Sequence, residues 1–322
     1  MLKRLRLRKI ALTSAALFAL ALIYLIPGNE PKLEATFDLE YVDSSVTTNP
    51  IFLMDKSSYV ALTDVPVSGT SVEEKARELL NVLTVGGADS KIPTGFSAII
   101  PPDTTINSLT YENGLIKVDF SKDLLDIDKD FEEKLIESIV FTLTSIDEVT
   151  KVIIYVDGEI LSKLPQTGIN LPSTLDRGFG INKEYDFTST NNITDVTVYY
   201  INRVNDEYYY VPVTKYLNDD RDKITIIIDE LTTGFNHNED LMSFLNAETQ
   251  LVSSTVQDKT MNLEFNSYIF DDVTTEEILE EVIYTICLSA KDNYDIDEVV
   301  FTVDNKEIYK TTIKNLETKE KL

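Results

Sequence analysis

The chain has one cysteine, one histidine and no tryptophan in 322 residues, and its 29 Lys and Arg face 55 Asp and Glu. A single thiol excludes an intramolecular disulfide, and the apolar helical stretch around Cys287 marks it as a core residue. A single imidazole leaves little for hydrolysis, where the nucleophile is activated by a base that is most often His. His237 sits in a polar stretch after Gly234 and reads as plain surface. No HExxH, GxSxG, phosphate-loop, GxGxxG or CxxC pattern occurs. Carboxylate pairs of the kind that cleave glycosides arise by chance among 55 acids and assign nothing. The chain therefore reads as non-enzymatic, with no cofactor.

The scarce positive charge is also unevenly placed. Lys3, Arg4, Arg6, Arg8 and Lys9 precede an uncharged run from Ile10 to Ile26, which Pro27, Gly28 and Asn29 end. Seventeen helical residues reach roughly 25 Å, the short end of what spans a bilayer. A small-x-small pattern, Ala19 to Ala21, lies inside the apolar run rather than after it, and Ile23 to Ile26 are too bulky for cleavage. The expectation is an uncleaved signal anchor over 1–27, its basic end cytoplasmic and the bulk of the chain extracytoplasmic. No Cys stands near for a lipid anchor. Beyond the tail, 24 basic residues remain against 55 acidic ones, a net of −31. That field repels nucleic acid and anionic lipid.

The remaining sequence repeats itself. The division expected is a tether over 28–48, a first domain over 49–161, a connecting segment over 162–196, a second domain over 197–310 and a charged tail over 311–322. Each block opens with two strand-like runs, Ile51 to Met54 and Tyr59 to Thr63, then Val198 to Ile201 and Tyr210 to Thr214. A helix follows. Ala76, Leu79, Leu80 and Leu83 stand at i, i+3, i+4 and i+7 behind a capping box of Ser71 and Glu74, and Ile224, Ile227, Ile228 and Leu231 repeat the spacing. Gly86 and Gly234 suit the left-handed position that stops a helix. A second hairpin turns at Asn113-Gly114 in one block and at Gln257 to Lys259 in the other.

The longer helix that follows carries Leu135, Ile136, Ile139, Val140 and Leu143, matched in spacing by Ile278, Leu279, Val282, Ile283 and Ile286. Each block closes on a strand, Val152 to Val156 and Val299 to Val303. The fold expected is α+β: two tandem β-β-α-β-β-α-β units, each one mixed sheet covered by two helices. Leu79, Leu80, Ile139 and Val140 should be buried, as should Ile227, Ile228, Val282 and Ile283. The connecting segment has no clear period and is long enough to be expected to pack across both units.

One acidic constellation carries a metal-site spacing. Asp126, Asp128, Asp130 and Glu137 fall at positions 1, 3, 5 and 12 of an EF-hand-like loop, but Phe131 stands where that loop needs Gly. The simpler reading is that Asp130 and Glu132 cap and charge the start of the helix. Asp119 and Asp157 stand at strand ends as turn-forming side chains.

Several strings together resemble the GerM domain: Leu115 to Ser121, Thr142-Leu143-Thr144, Val149 to Gly158, Ile100-Pro101-Pro102-x-Thr104, and Tyr210 to Thr214. The resemblance covers nearly the whole exported region. It implies a role at the cell envelope in sporulation and spore germination, as a scaffold or adaptor whose domains are similar to ring-building folds. The partners it implies are envelope proteins, an oligomeric or ring assembly among them, and peptidoglycan; the alternative role is a peptidoglycan-remodelling hydrolase or its regulator. The second block departs from the first, with Asn246 to Thr249 where the first has Pro101 to Thr104. Within the connecting segment, Arg177, Phe179 and Tyr185 are the candidate interaction residues, since interfaces concentrate their energy in such side chains.

The anchor has a direct test. The protein should fractionate with membranes at full mass, and protease added to protoplasts should digest everything beyond about Pro27. Recovery of a soluble product starting near residue 28 would refute it.

Overall fold

The computed structural model describes residues 47–234 and 240–312. The Ile10 to Ile26 run, most of the tether, His237 and the chain beyond 312 lie outside the described residues. Among the described residues no helix is long and apolar enough to cross a membrane.

The first repeat opens with β1 (Thr48–Asp55) and β2 (Val60–Pro66), an antiparallel hairpin, followed by helix α1 (Val72–Leu83) and the short β3 (Phe96–Ser97). A second hairpin joins β4 (Ile106–Glu112) to β5 (Leu115–Phe120). Helix α2 (Glu132–Leu143) crosses over to β6 (Lys151–Val156), which pairs parallel with β5 and turns into β7 (Glu159–Ile160). The connection contributes β8 (Glu184–Asp186). The second repeat runs β9 (Thr194–Val204), β10 (Glu207–Leu217), α3 (Lys223–Thr233), β11 (Leu251–Gln257), β12 (Thr260–Phe265), α4 (Glu280–Asn293), β13 (Glu298–Val303) and β14 (Lys306–Thr312). Among the described residues the first strand starts at Thr48 and the last ends at Thr312.

Local chemistry explains the elements. Ser71 and Glu74 form the reciprocal capping box that starts α1. Asn113 and Gly114 are both left-handed, as a two-residue hairpin turn requires. Asp157-Gly158 and Asp304-Asn305 make the same turn after β6 and β13. β5 and β12 share one alternating burial pattern, and β12 pairs parallel with β13 as β5 does with β6. The eight residues expected in the core are all buried, as is Cys287.

The architecture departs from the expectation in its sheets. The strands of one repeat do not form a single sheet. The second hairpins build two separate four-stranded sheets, β4-β5-β6-β7 and β11-β12-β13-β14, while β1, β2, β9 and β10 enter one six-stranded sheet shared by both repeats. Alternation tells which face of a strand is buried but is silent on which strand lies beside it. The closing strands β7 and β14 also escaped detection, because β7 has two exposed residues and β14 is mostly exposed and charged.

The matched helices were aligned one turn out of register. Thr142 of α2 accepts from the Phe52 amide, and Ser289 of α4 accepts from the Tyr199 amide, each at 2.9 Å. Both pairs imply an offset of 147 residues, which sets Leu135 against Val282 and Ile139 against Ile286. Ile278 and Leu279 lie ahead of α4. An apolar stripe nearly coincides with itself after four residues, so spacing alone cannot fix the turn. Gly86 is likewise displaced: α1 ends at Leu83 with Thr84 as its cap, and Gly86 serves the turn beyond, whereas Gly234 does follow α3 directly.

The shared sheet has an unusual joint. β2 and β10 touch in antiparallel register only at Leu62 and Tyr210. Beyond that point the side chain of Asn182 fills the gap. Its Oδ1 accepts from the Val60 amide at 2.9 Å, and its Nδ2 donates to the carbonyls of Val60 and Pro212, both at 2.8 Å. Pro212, which lacks an N–H, faces this gap, so only its carbonyl has to be satisfied. Ile181 continues the pairing through its carbonyl, which accepts from the Thr214 amide, and β8 then runs parallel to β10. The connecting segment thus packs across both repeats.

Behind the joint lies Glu137 of α2, 2% exposed. Its carboxylate accepts from the Asn182 amide at 2.9 Å and stands 3.7 Å from the Lys183 ammonium. This carboxylate is thereby directed to Asn182 and Lys183. Asp130 does not cap α2, whose N-cap is Phe131, and the Glu132 carboxylate accepts instead from the amides of Gln166 and Thr167.

Burial pushes the Glu137 carboxyl up to about 7, against the pull of Lys183. The folded chain holds this proton more tightly than the unfolded one, where the value is near 4.5. The resulting stabilisation is full below pH 4.5 and lost as pH rises through 7. Urea unfolding should show a contribution on the order of 1 to 3 kcal/mol lost between those limits. Glu137→Gln keeps an oxygen for the Asn182 amide and should flatten that part of the profile. Parallel profiles for the two proteins would disprove it.

Candidate functional site

The shared sheet presents one face to a cleft that needs both repeats. Phe52, Leu62 and Tyr210 are cross-strand neighbours on that face. Helix α4 supplies the opposite wall with Tyr284, Leu288 and Lys291, and Arg177 and Tyr199 close the end. The cavity holds about 120 Å³. The Tyr210 and Tyr284 rings stack nearly parallel, centroids 5.4 Å apart.

Arg177 is the centre of the closed end. Asp176 positions it by accepting from the Gly178 amide, which starts a single 3-10 turn. Its guanidinium pairs with Asp292 at 2.6 Å, donates to Thr144 Oγ1 at 3.2 Å, and lies over the rings of Phe141 and Phe52 at 5.0 and 5.4 Å. The Tyr199 hydroxyl donates to the other Asp292 oxygen at 2.7 Å. Burial opposes the Arg177 charge, but Asp292 outweighs it and holds the group above its ordinary range. Burial and the Asp292 charge raise the Tyr199 phenol. Lys291 is pushed the other way, down to about 8, by burial and by the neighbouring Arg177 charge.

The three candidate interaction residues fall in different settings. Arg177 is committed inside the molecule, where it ties α2 to α4. Phe179 is half-buried beneath the Lys183 ammonium, 3.4 Å from its ring centre. Tyr185 is 64% exposed and stacks on Tyr216 at 5.1 Å with Phe187 at its edge. Sequence reasoning missed Tyr199, Tyr284, Lys291 and Asp292. The run Tyr208-Tyr209-Tyr210 was the one visible signal, since alternate residues of a strand would place two tyrosines on one face.

Asp119 and Asp157 are resolved by the turns. Asp119 accepts from the Gly158 amide at 2.9 Å, and Glu264 accepts from the Asn305 amide at the matching place. Among the described residues no group of three His, Cys, Asp or Glu is placed to hold a metal ion.

The buried pair predicts a specific energetic pattern. Asp292→Asn leaves the Arg177 charge without its counter-ion and should cost about 3 to 5 kcal/mol. Adding Arg177→Met should recover part of that loss, because the uncompensated charge disappears. Additive losses in urea unfolding would show that the two do not act as a pair.

A model of the Germane family, described as sporulation and spore germination, matches residues 50–162 and again residues 197–309. Spore germination protein GerM of Bacillus subtilis (strain 168) is 34% identical over 272 residues, covering 82% of this chain and 73% of that protein. The solved structure of the tandem GerMN domains of the sporulation protein GerM from Bacillus subtilis aligns with a TM-score of 0.74 at 31% identity, covering 81% of this chain and 92% of that one. Two matches spanning most of the described fold, with a relative of this identity, establish that the chain belongs to the Germane family of sporulation and spore germination proteins.

Proposed function

We propose that the protein acts without catalysis, as an adaptor at the cell envelope during sporulation or germination. In this reading the Ile10 to Ile26 segment holds it in the membrane, with both repeats on the outer side. The observation that carries the reading is the shared six-stranded sheet. Two repeats joined in one sheet, by the Leu62–Tyr210 pair and the Asn182 side chain, present their outer surfaces at one fixed spacing, which suits a part that sets the distance between partners. Partners are envelope proteins, an oligomeric assembly among them. The exposed Tyr185, backed by Tyr216, is the anchor of the right type on the connection: a rigid aromatic with a polar tip.

Complementation of a strain lacking its GerM-type protein provides the test. Tyr185→Glu should abolish spore formation or germination while the purified protein keeps its unfolding midpoint, and His237→Ala should complement fully. Purified residues 30–322 should leave peptidoglycan intact. Turnover of peptidoglycan that one carboxylate substitution abolishes would overturn the adaptor in favour of a hydrolase.

A further inference from the structure

The sheet β11-β12-β13-β14 guards its two outer edges unequally. β14 carries Lys306, Glu307 and Lys310, and charged side chains on an edge strand discourage further pairing. β11, at the other edge, is bare. Thr249 to Gln257 hold no charged residue, in a chain that is 26% charged. Val252 and Val256 within that stretch are 65% and 52% exposed. The corresponding edge of the first repeat is committed within the molecule: Leu109 of β4 is buried in the core, and the Tyr111 hydroxyl donates to the Glu148 carbonyl.

The free backbone groups of β11 can be named. Asp258 and Lys259, both left-handed, form a two-residue turn, so Gln257 and Thr260 exchange hydrogen bonds. Alternation along the ladder then commits Thr255 and Ser253 to β12 and turns the N–H and C=O of Val256 and Ser254 outward. Val252 is the extra residue of a bulge and has no partner on β12. Among the described residues no other strand pairs with β11. The outward positions 252, 254 and 256 are centred on Ser254, and the side chains are nearly symmetric about it: Val252 mirrors Val256, and Ser253 mirrors Thr255. The strand is its own complement in antiparallel register, with Ser254 set against Ser254 and Val252 against Val256.

We infer that β11 is a self-association edge: two copies of this chain join through antiparallel β11 strands, about a two-fold axis at Ser254. Their four-stranded sheets become one sheet of eight strands. An isologous contact of this kind closes at two copies, and the charges of β14 keep the joined sheet from growing. The seven residues of β11 cover less than the roughly 1,200 Å² of a standard interface, so the contact is weak in solution. Two copies anchored in one membrane, as proposed above, meet at a higher effective concentration. The inference gives the assembly of the adaptor reading its contact surface. The two fail separately, since pairing is read on purified protein and the adaptor role by complementation.

Sedimentation equilibrium of residues 30–322, which hold the whole described fold, should show monomer and dimer with a dissociation constant of about 10 μM to 1 mM. Val256→Lys puts a charge on the edge and should weaken the dimer at least about tenfold while the unfolding midpoint stays unchanged. Ser254→Cys puts a thiol on the axis, where the Cα atoms of a hydrogen-bonded pair stand about 5.5 Å apart, within disulfide reach. A mild added oxidant should link this variant into dimers, both in solution and in membranes carrying the full chain. Val252→Cys should not link, because the register places Val252 opposite Val256. The native Cys287 is buried and contributes no background. Equal linking of Val252→Cys, a dimer untouched by Val256→Lys, or a monomer at about 1 mM would each overturn the inference. So would a monomeric protein whose folded Val256→Lys variant fails complementation, because the edge would then serve a strand of a different protein.

Discussion

A backbone edge has to be paired wherever it is buried, and this molecule meets that demand at its centre with one side-chain amide. The hairpins β1–β2 and β9–β10 meet edge to edge at a single residue pair, which is too little to make one sheet. Asn182 supplies what is missing. Its amide offers a donor and an acceptor in the same arrangement as a backbone residue, and it uses both on Val60 while reaching Pro212. Its own backbone is left-handed, a conformation that Asn tolerates better than most residues, and the Glu137 carboxylate holds its N–H. Each group so satisfied would otherwise cost about 1 to 3 kcal/mol. The fixed relation between the repeats follows from that arrangement.

The stretch of β1 that β3 leaves uncovered, and the outer edge of β9, are closed by another device. On β1, Phe52 gives its amide to Thr142 and takes the Ser138 hydroxyl on its carbonyl. On β9, Tyr199 gives its amide to Ser289, and Asn293 pairs with both backbone groups of Thr197. In each repeat the long helix therefore caps a strand with buried side chains where a further strand would otherwise add. An open edge invites uncontrolled pairing with other chains. Capping both ends ties each helix to the sheet and leaves other surfaces to mediate assembly.

Much of this was legible in the sequence, for reasons that can be named. Asn113-Gly114 and the Ser71–Glu74 box act over four residues, so their geometry is written where it is used. The apolar stripes named the core correctly because burial follows periodicity. The alignment of α4 failed by one turn because a stripe is nearly degenerate under that shift, and only the hydroxyls of Thr142 and Ser289 break the degeneracy. Assignment of strands to sheets failed because the partner of β2 lies 148 residues away at Tyr210. Asn182 was invisible for the same reason: it stands in a segment without period, and its partners are 122 and 30 residues distant. Arg177 was singled out by residue type, which says that a side chain can anchor an interface but not whether the interface lies within the chain.

The cleft and the joint are consequences of one another. Had the two hairpins paired along their full length, the sheet would be flush and Asn182 unnecessary. Because they diverge after Leu62 and Tyr210, α4 and the connection have to close over the seam, and Arg177 does so by binding Asp292 on α4 and Thr144 beyond α2. The space left over is lined from both sides. Neither repeat alone has Phe52 and Leu62 opposite Tyr284 and Lys291, so a single Germane unit would lack this cavity altogether. The residues that hold the repeats together are therefore also the ones that shape the cavity.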